Sequence, residues 1–427
     1  MRAHLAPLAA LLAGAFLLAA AGGLQALLLP LRAQLEGFAD PAIGGLGAAF
    51  AAGFVAGCLA VPRIVAAVGH IRTFAVMASL AAVLALAMSL AVHAVPWTVL
   101  RAATGFCFAG AAMVVESWLN ERTTNTARGA VFATYMVVNL GGVTAGQLSL
   151  TVGPLDSHVL FVVAAMLFSL ALLPTSLSTR PAPAPARRAR FDLARLFALS
   201  PLGAAGCLAV GAVNGAFTTL APVFLTAAGY GVAEVALLMS AALVGGTVIQ
   251  LPLGRLSDRL DRRWVLALTA AAAALLAMLL DAWRPSDLAA ALALLFVLGG
   301  GVFSLYGLAV AHANDRAPPE AFVETAGGLL LLFGIGSVVG PLVGAAAMSI
   351  WRPGALLGFM TAVHLALALY ALWRILRSPA VPRAGREHFE AMPRNATPGT
   401  VALDPRAGET ASGHGGSAAG GAPTPAA

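Results

Sequence analysis

The chain is 427 residues long, 60% hydrophobic and only 10% charged, with a formal net charge of +7 and a mean hydropathy of +0.88. A water-soluble surface needs far more charge than this, so a soluble globular protein is excluded. Every basic residue is Arg. Without Lys there is no Schiff-base chemistry and no phosphate-binding loop of the G-x-x-x-x-G-K-[ST] type, and the positive balance fits basic membrane-protein loops rather than a nucleic-acid partner.

Taken in order, Met1 to Gly23 has the marks of a secretory leader: Arg2, an apolar stretch and small residues at Ala19–Ala21. Against that, the run continues to Leu29, and Gly23, Pro30, Gly37 and Gly53 recur 192 residues later as Gly215, Pro222, Gly229 and Gly245. A cleaved leader would have no partner in a repeat, so the run is read as a first transmembrane span. Further runs of spanning length lie at 41–62, 71–94, 97–119, 129–152 and 157–177, then at 201–227, 232–254, 264–282, 288–312, 323–350 and 354–376. This predicts an all-α membrane protein of twelve transmembrane helices in two six-helix bundles. Asp40-Pro41, Ser200-Pro201 and Ser286-Asp287 are placed to start helices. Cys58, Cys107 and Cys207 fall inside apolar runs without metal-ligand spacing, and are read as small apolar fillers. No cofactor or metal site is expected.

A second register of the same duplication, offset by 194, maps Gly105 onto Gly299, Asn120-Glu121-Arg122 onto Asn314-Asp315-Arg316, and Gly142 and Gly146 onto Gly336 and Gly340. The expected domains are therefore a first bundle over 1–177, a linker over 178–199, a second bundle over 200–377 and a tail over 378–427. The linker's Pro-Ala part reads as extended, and 188–199 as a short basic amphipathic helix on the membrane surface. The tail is too polar to bury a core and is expected to be disordered. Parallel repeats of this kind are associated with secondary transporters, whose site lies at the repeat interface near mid-membrane.

Arg placement sets the expected orientation. One set of loops carries Arg63, Arg72, Arg122, Arg128, Arg180, Arg187, Arg188, Arg190, Arg195, Arg255, Arg259, Arg262, Arg263, Arg316, Arg374 and Arg377, whereas the other carries only Arg32, Arg284 and Arg352. The first set is expected to be cytoplasmic, with both termini, in a bacterial inner membrane.

The loop after the eighth span reads Gly254-Arg255-Leu256-Ser257-Asp258-Arg259-Leu260-Asp261-Arg262-Arg263. It resembles the G-x-L-x-D-R-x-G-R-R signature of the major facilitator superfamily, with Asp261 in place of the second Gly. The loop after the second span keeps Gly69 but lacks the acid. The resemblance implies a cytoplasmic gate formed by Gly254, Asp258, Arg259, Arg262 and Arg263, with Asp258 facing the start of the fifth span at Arg128 when that side is closed. The competing reading is a charge cluster that stays in water.

In the fourth span, Arg101-Ala102-Ala103-Thr104-Gly105 resembles the family's R-x-x-Q-G signature, with Thr104 for Gln. The resemblance ties Arg101 to a binding cavity and to proton coupling. Snorkelling to the outer end, about four residues away, and a buried structural role are the alternatives. Glu116 lies on the same helix, about 22 Å further along its axis. It is either a buried proton carrier facing the same cavity or a helix-end carboxylate paired with Arg122, Arg128 or backbone. The stretch from Glu116-Ser117-Trp118-Leu119-Asn120 to Gly146-Gln147, with Pro62-Arg63 and Val68-Gly69-His70 upstream, resembles YcaD-like bacterial permeases of that superfamily.

Gly336-x-x-x-Gly340-Pro341 resembles a Gly/Pro signature of drug–proton antiporters, displaced here to the eleventh span. With Gly142 and Gly146, it is read as helix packing or gating. In the family's fold the first, fourth, seventh and tenth spans line the cavity, which singles out Gln25, Arg101, Asn214 and Tyr306. Asn139 shares a helical stripe with Tyr135 and Gly146. His312 and Glu324 sit near helix ends and are expected to be exposed.

These features together predict a secondary active transporter of a small organic solute, driven by H+ and working as a monomer in the lipid bilayer. The alternative is a transporter-like sensor or scaffold without transport. A membrane enzyme has no H-E-x-x-H or clustered acidic motif to support it.

Overall fold

The computed structural model describes residues 8–121, 123, 128–173, 192–318, 321–379, 382, 389, 391 and 397–403. Their regular structure is helical. The first half contains α1 (Ala9–Leu35), α2 (Asp40–Val68), α3 (His70–Leu90), α4 (Ala94–Glu121), α5 (Arg128–Leu148) and α6 (Val159–Leu170). A short α7 (Leu193–Leu199) precedes the second half, which comprises α8 (Pro201–Ala227), α9 (Val232–Arg259), α10 (Arg262–Trp283), α11 (Leu288–Asn314), α12 (Phe322–Ile350) and α13 (Ala355–Arg377). A last helix, α14 (Pro398–Leu403), lies in the tail.

Among the described residues, eleven helices are long and apolar enough to cross a membrane. The twelfth place is held by the shorter apolar α6, whose predicted span of 157–177 runs beyond residue 173 and so partly outside the described residues.

Local chemistry sets where the helices start and stop. Asp287 caps α11 by accepting from the Ala290 amide at 2.9 Å, as its position predicts. Ser200 stands at the start of α8 without a side-chain cap bond, and Asp40 is already inside the first turn of α2. The α2–α3 corner turns at Gly69, whose φ of +86° is left-handed backbone that favours glycine. Asp261, which breaks the loop signature, has its own local use. It caps α10, accepting from the Arg263 amide at 3.0 Å, and pairs with the Arg263 side chain at 2.7 Å.

The duplication is visible as matched packing. In the first half α1 lies on α5, α2 on α4 and α3 on α6; in the second, α8 lies on α12, α9 on α11 and α10 on α13. The close approaches repeat residue by residue. A Cβ on Gly146 would collide with the Ala20 carbonyl, and one on Gly340 with that of Ala212; Gly105 and Gly299 meet the carbonyls of Phe50 and Ala242 in the same way. Gly142, Gly146, Gly336 and Gly340 therefore bring helices together within each half. Pro341 is different. Its carbonyl lies against Gly44 of α2, at the seam between the halves.

For clarity, the loops rich in Arg define the basic face of the molecule, and the other end is the opposite face. At the opposite face the halves meet directly. Thr226 donates to Gln34 at 2.6 Å, Ser240 donates to Gln147 at 3.0 Å, and Gly44 and Gly47 pack on the Pro341–Ala345 turn and Thr219. The three Arg residues there are paired: Arg32 with Glu36 at 2.5 Å, and Arg284 and Arg352 with Asp281 at 3.4 and 2.5 Å.

Two segments outside the bundles are described in part. Of the predicted amphipathic segment 188–199, the described part is α7, capped by Asp192 and packed through buried Leu196 against Gly328 of α12; the rest lies outside the described residues. The tail is not structureless throughout. Thr397–Leu403 is ordered into a turn and α14, and Thr397 and Thr400 are fully buried. The Glu116 carboxylate of the first bundle accepts the Thr397 and Thr400 hydroxyls, a partner that composition does not register and that this polar stretch cannot supply alone.

Candidate functional site

A central cavity of about 150 Å³ lies between the halves. Its walls come from α1, α2, α4 and α5 on one side and α8 and α12 on the other, and Pro398 of the tail borders it. Most of the lining is apolar, with Phe50, Phe54, Phe108 and Phe333 supplying rings. Arg101 is the charged residue among its lining residues, and Asn214, Thr218, Thr219 and Ser337 add polar groups.

Arg101 does not snorkel. Helix α4 begins at Ala94, so Arg101 sits about 10 Å in from that end. It is 8% exposed, its guanidinium lies 4.2 Å from the Phe50 ring centroid, and Nη1 donates to Gln25 Oε1 at 3.3 Å. A desolvated cation over a ring is worth about 2 kcal/mol, which helps to keep the charge inside. Gln25 Nε2 and Asn214 Oδ1 are buried without a hydrogen-bond partner among the described residues. Buried polar groups are nearly always satisfied, so amides left unpaired around a lone cation mark a place for a polar ligand group.

Glu116 is not among the residues lining this cavity. It is buried at the basic-face end of α4, where three hydroxyls donate to its carboxylate: Tyr135 at 2.9 Å, Thr400 at 2.7 Å, and Thr397. The Thr400 backbone also bonds to it, as one of the two readings of this carboxylate allowed, and Arg122 lies outside the described residues. Asn139 bonds to Tyr135 and so stands behind the carboxylate. Tyr306 is buried against Phe333, with ring centroids 4.7 Å apart, one layer behind the cavity wall.

At the basic face, the loop-signature residues form an ion-pair chain. Arg262 bonds to Asp315 at 2.7 Å, Asp258 at 3.2 Å and Ser257 at 2.9 Å. Arg263 reaches the carbonyl of Ser378 at 2.8 Å. Arg259 is exposed, and Arg128 is half-buried at the start of α5. Asp258 accepts from the amide of Phe389, in the tail, at 3.0 Å. His312, expected to be exposed, is 4% exposed and contacts Arg316 within 2.8 Å, with Asp261, Arg262 and Arg263 of the α9–α10 corner beside it. Glu324 is half-exposed, 3.9 Å from Arg195. Cys58 lines the cavity, while Cys107 and Cys207 are buried fillers, all three with free thiols.

Sequence reasoning missed the phenylalanine lining and the tail contacts. Phe50 and Phe54, one helical turn apart, carried a signal. So did Phe389 and the Thr-Pro-Gly-Thr-Val-Ala-Leu stretch, which stand out in an otherwise polar tail.

This arrangement of two six-helix repeats around a central cavity is matched by the comparisons. A family model for the Major Facilitator Superfamily covers residues 11–320 and 227–411. The chain belongs to the major facilitator superfamily. It is 28% identical over 385 residues to the uncharacterised MFS-type transporter YcaD of Salmonella typhi, covering 89% of this chain and 98% of that one. A further uncharacterised MFS-type transporter, YE1530 of Yersinia enterocolitica, is 28% identical over 384 residues, covering 89% and 97%.

Among solved structures, a mutant of the nucleoside transporter NupG gives a TM-score of 0.75 at 15% identity, over 86% of this chain and 99% of that one. A bacterial homologue of the human lysosomal transporter Spinster, in an inward-facing and unoccupied conformation, gives 0.68 at 16%, over 87% and 98%. At these identities the likeness is one of fold. The chain is thus a multi-pass membrane transporter of the superfamily rather than an enzyme, and moves some solute across the bilayer.

Proposed function

We propose that this protein is a secondary active transporter for a small organic anion with an apolar or aromatic body, coupled to protons and working by rocking its two halves around the Arg101 cavity. The observation that carries this reading is the buried Arg101 guanidinium, over the Phe50 ring in a cavity lined by four phenylalanines, with Gln25 Nε2 and Asn214 Oδ1 left unpaired. A carboxylate or phosphate-like group would pair with the cation, and the rings would take the body of the molecule. Transferring such an anion to the cavity replaces its hydration with fixed donors, which favours a charged head over a neutral solute of equal size.

The proton role falls to Glu116, a carboxylate buried on the same helix near the basic face. Arg density supports the basic face as cytoplasmic. On that orientation, the direct packing of the halves at the opposite face corresponds to an inward-facing conformation.

The test is flux in proteoliposomes across a panel of organic anions, cations and neutral solutes, with and without an imposed pH gradient. Uptake or exchange of an aromatic or aliphatic carboxylate, accelerated by the gradient, is the expected result. Transport of cations alone, or anion flux indifferent to the gradient, removes the anion reading or the proton reading respectively.

A further inference from the structure

Described residues of the tail contact both halves at the basic face. The Phe389 amide donates to both oxygens of Asp258, at 3.0 and 3.2 Å. Its ring sits where Gly254 and Gly307 leave space, and a Cβ on Gly254 would collide with it. These anchors belong to α9 and α11 of the second half. Eight residues later the contacts are with the first half. Thr397 and Thr400 donate to Glu116, and Gly399 lies against that side chain. The turn organises itself: the Thr397 amide donates to Thr400 Oγ1 at 2.9 Å, and the Gly399 amide to Thr397 Oγ1 at 3.0 Å. α14 packs between α4 and α12, and Pro398 borders the cavity.

We propose that Phe389 and the Thr397–Thr400 turn act as a built-in plug, tethered ligands of a peptide-binding site at the basic-face mouth, and that transport requires them to leave. The site recognises an aromatic residue with a free amide at Gly254, Asp258 and Gly307, and a hydroxyl pair spaced three residues apart at Glu116 and Tyr135. Closing the basic face during a rocking cycle would bring the ends of α4 and α5 toward those of α9 and α12, into space that Phe389 and the Thr397–Thr400 turn occupy. While seated, the turn also occupies the carboxylate to which the proton role is assigned. Only eleven residues separate Arg377 from Phe389, so the local concentration of the plug is on the order of millimolar and a weak intrinsic affinity suffices to hold it. The consequence for transport rests on the preceding functional reading; the seating of the plug does not.

Cys58 provides a readout that needs no solute. It lines the cavity, and Cys107 and Cys207 can be changed to Ala as buried fillers. In nanodiscs, modification of Cys58 by a polar maleimide is compared between the full chain, Thr397→Val with Thr400→Val, Phe389→Ala, and a chain ending at Pro379. Hydrogen bonds to charged groups are among the stronger ones, so labelling is expected to be at least about tenfold faster in each altered chain. A synthetic peptide spanning 386–404, added to the shortened chain, is expected to slow it again, and the same peptide with both Thr changed to Val is not. Equal labelling rates in all chains, or no protection by the peptide, would overturn the plug. If labelling responds as expected but the shortened chain moves no solute of the panel, the transport reading fails and the plug stands.

Discussion

Arg101 and Glu116 share one helix but have different surroundings. Arg101 is held by a ring and an amide oxygen beside an open cavity, whereas Glu116 is enclosed by hydroxyls. Replacing Arg101 with Lys keeps the charge but loses the planar fork and the stacking on Phe50. The expected result is a rise of about tenfold or more in the solute concentration needed for half-maximal transport, and Arg101→Ala should abolish transport of anions. A panel of initial rates measures both, and unchanged kinetics in Arg101→Lys would remove the cavity role. Glu116→Gln keeps the shape and can still accept hydroxyl hydrogen bonds through its amide oxygen. It is expected to leave solute binding within about twofold while removing the response of flux to a pH gradient. These two sites were legible as charges inside apolar runs. Their partners were not, because Gln25 is 76 positions from Arg101 and Thr400 is 284 from Glu116, and no local pattern reports such pairings.

Single helices are placed by their small residues. The approach of α5 to α1 at Gly146 and Ala20, and of α12 to α8 at Gly340 and Ala212, puts backbone against backbone. A carbonyl fixed in a helix cannot move aside for a new side chain. Gly146→Val and Gly340→Val are therefore expected to destabilise the fold by about 1–3 kcal/mol or more, seen as a lower thermal midpoint in detergent. Gly45→Ala meets nothing within 4 Å and is expected to be neutral or slightly stabilising, since Ala favours the helix by about 0.5–1 kcal/mol. A drop in thermal midpoint for Gly45→Ala equal to that for Gly146→Val would show that the effect is not one of close approach. At this scale the sequence was informative. Glycines recurring at offsets of 192 and 194 mark the same interhelical contacts in both halves. The side-chain cap that Ser200-Pro201 suggests is not made: Ser200 Oγ is buried without a hydrogen-bond partner among the described residues.

For the whole molecule, the state is decided by contacts between the halves. The Thr226–Gln34 and Ser240–Gln147 bonds at the opposite face are each worth about 0.5–1.5 kcal/mol net. Gln34→Ala combined with Gln147→Ala is expected to shift the equilibrium by about tenfold away from closure at that face. Spin labels in the 153–158 and 228–231 loops would report it as a longer-distance population; an unchanged distribution would mean the latch lies elsewhere, for instance in the Gly44–Pro341 seam.

Composition and apolar run length determined by themselves that the chain spans a membrane, because the hydrocarbon core imposes its length on every crossing segment. The offset glycines determined that it is a tandem repeat. Only the tertiary structure decided which face is closed, which polar groups meet at the cavity, and that part of the tail is seated against Asp258 and Glu116. Those outcomes depend on contacts between residues far apart in the chain, where geometry rather than pattern selects the partner.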